Sequence, residues 1–173
     1  MVRRAVTLGI NAPKAHGMGR LFDGIGALVL GRGKARYEGE LALAWNLVAD
    51  AGAHGRYPFG IDTHGPVLEL DLRAMLRALI QEFLVGVPPA RLSAKFHDTV
   101  VAATAELVRM VRERVGNFPV VLTGGCFQNA RLAEGLAMAL RADGPVHLHR
   151  EVPPGDGGIA LGQVLVASAT ISS

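Results

Sequence analysis

This sequence predicts a helix-rich α/β fold built on a short-stranded sheet, and three observations carry that reading. An apolar strand, Phe118 to Leu122, runs through the pair Gly124-Gly125 into a helix, Asn129 to Arg141, whose Leu132, Leu136 and Leu140 share one face. A second short strand, Val146 to His149, leads through Val152-Pro153-Pro154-Gly155-Asp156-Gly157-Gly158 into another helix. Elsewhere apolar residues recur mostly at helical rather than alternating spacing, so helices dominate and only about three strands are expected.

The elements follow in order. The chain is irregular to Gly17, then Leu21, Phe22, Ile25 and Val29 mark the apolar side of a helix from about Gly19 to Leu30, with Asp23 exposed one turn in. A turn at Gly31 to Gly33 leads to Tyr37-Glu38-Gly39 and a second helix, Glu40 to about Ala51. Residues 52–66, rich in Gly, His and Pro, read as a flexible loop with limited regular structure. Val67 to Leu70 makes a short strand, and Asp71 caps a helix carrying Leu72, Met75, Leu76, Leu79, Ile80 and Phe83. Pro88 and Pro89 break the chain and open a long helix that runs past Phe96, His97 and Val100 to Gly116. A histidine inside such an amphipathic helix reads first as structural.

The two glycine turns bear on chemistry. Glycine lets a backbone approach a phosphate closely, and the free N–H groups of a helix N-terminus aim partial positive charge at the same place. Parallel strands present their C-terminal ends on one edge, so both turns would lie side by side where open α/β sheets bind ligands. Each turn also serves as a simple tight connection. Asp156 fits either a metal or ribose contact or a helix N-cap.

Composition narrows the class. A chain of 173 residues, half of them hydrophobic, can bury a real core as one domain. One cysteine excludes an intramolecular disulfide, which suits a reducing cytoplasm, and neither a signal peptide nor a membrane-length apolar run is present. A net charge of +3 with 5% aromatics argues against nucleic acid as the main partner. Arg109, Arg112 and Arg114, interleaved with Glu106 and Glu113, read as a solvated helix face, and His147 and His149 as polar positions sharing one face of a strand.

The strings Met18-Gly19-Arg20-Leu21-Phe22-Asp23, Tyr37-Glu38-Gly39, Phe96-His97, Gly124-Gly125-Cys126-Phe127-Gln128-Asn129 and Val152 to Gln163 together resemble the C-terminal portion of the HypF-type carbamoyltransferases, in order from about Leu8 to Ala167. The resemblance implies the second half of an actin/hexokinase-like (ribonuclease H-like) ATPase domain, the Kae-like domain, related to the enzymes that install threonylcarbamoyl on tRNA. It implies an activity in [NiFe] hydrogenase maturation. Carbamoyl phosphate and ATP give a carbamoyl-adenylate, and the carbamoyl group passes to the C-terminal cysteine of an acceptor maturation protein on the way to a cyanide ligand.

Position by position, the resemblance places Gly124, Gly125, Asn129 and Gly157 at the nucleotide, Asp23 and Gly39 near its ribose or base, and Asp156 on a divalent metal (Mg, Zn or Fe). Two departures qualify it. Cys126 stands where the family usually has a small aliphatic residue, which fits conservative packing or a reactive thiol. The family's His-x-x-x-His metal pair has no counterpart among the six histidines, and the other family domains do not fit in this length. Residues 1–173 are therefore expected to form one incomplete domain that needs a separately encoded or covalently linked remainder. The alternatives are a noncatalytic nucleotide- or partner-binding half-domain, or a related O-carbamoyl or tRNA threonylcarbamoyl transferase.

Overall fold

A computed structural model describes residues 1–13 and 15–171; Lys14, Ser172 and Ser173 lie outside the described residues. Helix α1 (Val2–Thr7) precedes a hairpin of α2 (Met18–Leu30) and α3 (Glu40–Leu47), then strands β1 (Gly60–Asp62) and β2 (Glu69–Asp71). Helices α4 (Arg73–Leu84) and α5 (Pro89–Val115) follow, and the chain ends in β3 (Val120–Leu122), α6 (Ala130–Leu140), β4 (Val146–Leu148) and α7 (Ile159–Ile171).

The main core forms where α2, α3, α4 and α5 turn their apolar stripes together. Phe22, Ile25 and Val29 of α2, spaced at three and four residues, meet Trp45, Met75, Leu79, Leu92, Phe96 and Val100. Phe22 and Phe96 pack edge to face with centroids 4.8 Å apart, and Trp45 adds a second edge contact to Phe96 at 5.9 Å. Helices α2 and α3 approach closely because Gly26 carries no side chain: a Cβ there would stand 2.7 Å from the Leu41 carbonyl oxygen.

The 27-residue α5 is roughly 40 Å long and reaches a second, smaller core, where Ala105 meets Leu122, Leu136 and Leu140. That core supports a β3–α6–β4 unit. The strands pair in parallel with Val120 opposite Val146, Val121 opposite His147 and Leu122 opposite Leu148. Buried Leu122 faces the helices, whereas Val121 is exposed.

Several local expectations change. Residues before Gly17 include α1, and α3 ends at Leu47, short of Ala51. Among the described residues there are four strands in two separate pairs, the extra one being β1 inside the expected 52–66 loop. Three residues are too few to show an alternating pattern, and β1 exists by pairing antiparallel with β2, Ile61 opposite Leu70. The irregular part of that segment is tied down: Gly55 N–H donates to Asp98, Tyr57 N–H to Thr99 Oγ1, and the Tyr57 hydroxyl to Glu82.

Glu106, Glu113 and Arg114 are exposed as expected, but Arg109 and Arg112 are only part-exposed and bond across the fold. Arg109 donates to the Asp143 carboxylate at 2.7 Å and to the Ala139 carbonyl, and Arg112 donates to the carbonyls of Asp143 and Phe118. They clamp α5 to the end of α6 and the entry to β3. Sequence shows only the nearby Glu106, since Asp143 lies 34 residues away.

Candidate functional site

A cleft of about 680 Å³, within the range of small-molecule sites, opens between the α2–α3 hairpin and the two glycine loops. The loops are one structure. Gly124 N–H donates to the Pro154 carbonyl at 2.6 Å, and a Cβ on Gly155 would stand 3.6 Å from the Gly125 Cα.

Of the residues singled out from sequence, Asp23, Gly39, Gly125, Asn129, Asp156 and Gly157 all line this cleft. Gly124 does not. Its φ of 104° with ψ 159° suits glycine alone, and it holds the first loop against the second. Gly39 sits across the cleft with φ 81° at the start of α3, facing open space. Asp23 is half-buried on α2, and its Oδ1 accepts the Ala42 N–H at 3.1 Å, so it satisfies a first-turn donor of α3 from a neighbouring helix.

The turn before α3 is fixed by Glu40. Its buried carboxylate takes the Arg36 backbone N–H at 2.6 Å and the Arg36 guanidinium at 2.8 and 3.0 Å. The hydrogen bonds from Arg36 hold the Glu40 carboxyl below its usual range.

Helix α6 does not start directly at the glycine pair. A short 3-10 turn, Gly125–Gln128, intervenes, and Asn129 caps α6 by accepting the Leu132 N–H at 3.2 Å. The other end of the Asn129 carboxamide lies 2.9 Å from His97 Nε2. His97 is fully buried, and its Nδ1 is 2.7 Å from the Ser93 carbonyl oxygen. Burial pushes its imidazole down to about 4.

Cys126 is half-buried against the main core while also lining the cleft. Burial pushes its thiol up, the direction of an inert rather than a reactive sulfur. Asp156 is exposed and begins a 3-10 turn, Asp156–Gly158, without a side-chain cap bond. Among the described residues no three His, Cys, Asp or Glu side chains converge to hold a metal ion. Asp156 therefore does not form a metal site by itself among the described residues.

Sequence reasoning missed Ala42, Leu43 and Asn46, which line the cleft with Gly39. The signal was present: positions 39, 42, 43 and 46 follow the three-and-four spacing of one helix face. Arg20, Tyr37 and Glu38 also line the cleft, next to assigned positions. The lining thus offers one arginine against the carboxylates of Asp23, Glu38 and Asp156.

The chain matches, over residues 1–163, the family described as carbamoyltransferase, Kae1-like domain, second subdomain. It is 35% identical to the carbamoyltransferase HypF of Rhodobacter capsulatus over its whole length, covering 22% of that protein. It is 34% identical to HypF2 of Cupriavidus necator, covering 96% of this chain and 24% of that one. It superposes with a TM-score of 0.89 on full-length HypF in a phosphate- and nucleotide-bound form, at 32% identity over 98% of this chain and 22% of that chain. The HypF of T. kodakarensis shares the fold at a TM-score of 0.79 and 23% identity, over 99% of this chain and 22% of that one. The fold is thus the helix-rich second half of an actin/hexokinase-like domain, spanning about a fifth of its relatives' length, and the chain belongs to the HypF carbamoyltransferase family as the second subdomain of its Kae1-like domain.

Proposed function

We propose that the cleft binds the adenine nucleotide of an ATP-dependent carbamoyl transfer, and that the chain serves as the nucleotide-binding half of a cytoplasmic hydrogenase-maturation carbamoyltransferase. One observation carries the reading. Two glycine loops, joined by the Gly124–Pro154 hydrogen bond, bring Gly125 and Gly157 to a cleft that Asp23 and Gly39 line from the opposite wall. A Cβ on Gly125 would meet nothing within 4 Å, so the missing side chain leaves room for a ligand rather than for protein.

Backbone N–H groups at this loop supply donors for phosphate oxygens, and Asp23 and Asn129 supply polar contacts at the walls. The excess of carboxylates disfavours bare polyphosphate, so magnesium-complexed ATP is the preferred form. Carbamoyl phosphate, the acceptor protein with its C-terminal cysteine, and the remaining carbamoyltransferase domains complete the proposed reaction. A divalent metal beyond the one carried by ATP would need most of its ligands from outside the described residues.

Calorimetric titration with Mg-ATP tests the reading. Binding by the wild-type chain and its loss in Gly125→Val, with unchanged thermal unfolding, is the expected result. Equal affinity in the two would make the glycine pair a turn only. A second reading, nucleotide binding without catalysis, draws support from the incomplete metal site among the described residues. Adding the first subdomain in trans separates the two: transfer activity that Asp156→Ala abolishes favours the enzyme.

A further inference from the structure

We infer that His97 is a positioning residue, whose buried Nε2 fixes the Asn129 carboxamide so that its remaining N–H is presented to an oxygen acceptor, phosphoryl or hydroxyl, of the cleft ligand. The inference rests on the nucleotide reading for the ligand, and on a hydrogen-bond chain for the geometry.

The chain has one consistent set of donors. The Ser93 hydroxyl lies 2.5 Å from the Trp45 carbonyl, which can only accept, so the hydroxyl hydrogen points there. His97 Nδ1 lies 2.7 Å from the Ser93 carbonyl, which again can only accept, so Nδ1 carries the ring proton. The longer 3.4 Å contact between Nδ1 and the Ser93 hydroxyl oxygen agrees, since that oxygen has lone pairs left to accept with. Nε2 is then a bare lone pair, and the group 2.9 Å from it must be the Asn129 amide nitrogen. The amide oxygen faces the other way, where Leu132 N–H donates to it.

The last two contacts each exclude the flipped amide. Exchanging oxygen and nitrogen would set lone pair against lone pair at His97 and hydrogen against hydrogen at Leu132. A carboxamide has two N–H hydrogens, and the chain uses one. Asn129 lines the cleft, so the second hydrogen belongs to a residue at the ligand surface. The arrangement also ties α3, α5 and α6 together through Trp45, Ser93 with His97, and Asn129, and α3 and α6 line the cleft through Ala42, Leu43, Asn46 and Leu132. Asp98 and Arg131 are the charged groups nearest the ring; they are paired with each other at 3.1 Å, and burial keeps the ring neutral.

The test uses the full chain with nitrogen-labelled histidine and asparagine, Mg-ATP as probe, and the variants His97→Leu and His97→Gln. Leucine fills the space without an acceptor, and glutamine returns an oxygen acceptor near the position of Nε2. The expected result is an Nδ1-protonated ring in the wild type and a nitrogen–nitrogen coupling across the hydrogen bond between Asn129 Nδ2 and His97 Nε2. Mg-ATP affinity should fall roughly tenfold in His97→Leu and recover in His97→Gln. Unchanged affinity in His97→Leu, or an Nε2-protonated ring, overturns the proposal. Should His97→Leu fail to fold, the wild-type tautomer and the affinity of His97→Gln decide in the same directions. Should the wild type bind no nucleotide, the nucleotide reading falls and the coupling across the hydrogen bond decides positioning. A coupling between Asn129 Nδ2 and His97 Nε2 in the wild type sustains it, and its absence there overturns it.

Discussion

Gly124 N–H and the Pro154 carbonyl, 2.6 Å apart, join two loops that are 30 residues apart in sequence into a single wall of the cleft. The joint depends on the second loop folding tightly over its own prolines. Gly158 shows how tightly: a Cβ there would stand 2.8 Å from the Pro153 carbonyl oxygen and 3.0 Å from Val152 Cγ1. Backbone cannot swing aside as a side-chain end can. Gly158→Ala should therefore cost about 1–3 kcal/mol through overpacking and weaken ligand binding by displacing the wall. Thermal unfolding beside a Mg-ATP titration checks it; a stable variant with full affinity would mean that the second loop is free to relax.

The α2–α3 hairpin makes a second prediction, with its own control on the same helix. Gly26→Ala places a methyl group 2.7 Å from the Leu41 carbonyl and 3.1 Å from Trp45 Cβ. Better helix propensity offsets only about 1 kcal/mol of the clash. Net destabilisation of about 1–2 kcal/mol is expected, because the whole wall must move apart. Gly24→Ala, on the exposed side of α2 where nothing lies within 4 Å, should instead stabilise by up to about 1 kcal/mol. Urea midpoints of the pair give the comparison directly.

What could be read from sequence was local. The stripe of Phe22, Ile25 and Val29 is a face of one helix, and Pro89 at the first position of α5 and Asp71 accepting the Arg73 N–H are terminus signals within a few residues. The same holds for the glycine loops, which hold four of the assigned lining residues, Gly125, Asn129, Asp156 and Gly157, whereas Asp23 and Gly39 follow from the resemblance alone. What could not be read depends on residues that meet only after folding. Arg109 finds Asp143 across 34 residues, Asp23 finds Ala42 across 19, and His97 finds Asn129 across 32. No periodicity encodes such pairs. Strand β1 failed for a related reason, since it is defined by its partner rather than by its own three residues.

Burial of neutral His97 gives a pH dependence with a definite sign. The folded chain protonates this ring only near 4, whereas an unfolded chain does so near 6.5. Between those values the unfolded state holds more protons, so stability falls as pH falls. Above 6.5 the ring is neutral in both states and contributes no slope. The loss across the window is on the order of 3 kcal/mol, set against whatever the carboxylates add. Denaturant midpoints from pH 7 to pH 4 should drop more steeply in the wild type than in His97→Gln. Parallel curves would place the titration elsewhere.

The last helix makes the most direct prediction about the chain as a whole. Every residue of α7 from Ile159 to Ile171 is exposed, and its sequence holds no charged side chain. Leu161, Val164, Leu165, Val166 and Ile171 point in several directions, so the helix is apolar all round rather than along one stripe. Such a helix is ordinarily enclosed. The exposed Val121 on the β3–β4 sheet adds to the uncovered surface, since parallel sheets are normally covered on both faces. The isolated chain should therefore self-associate, and the first subdomain of the Kae1-like domain should suppress this by covering α7. Light scattering after gel filtration, over a tenfold concentration range, measures it. Leu161→Gln with Leu165→Gln should shift the chain toward monomer without lowering its thermal midpoint, because neither residue contributes to the core. A wild-type chain that stays monomeric throughout, with α7 protected from proteolysis, would show that the helix has found cover within the chain itself.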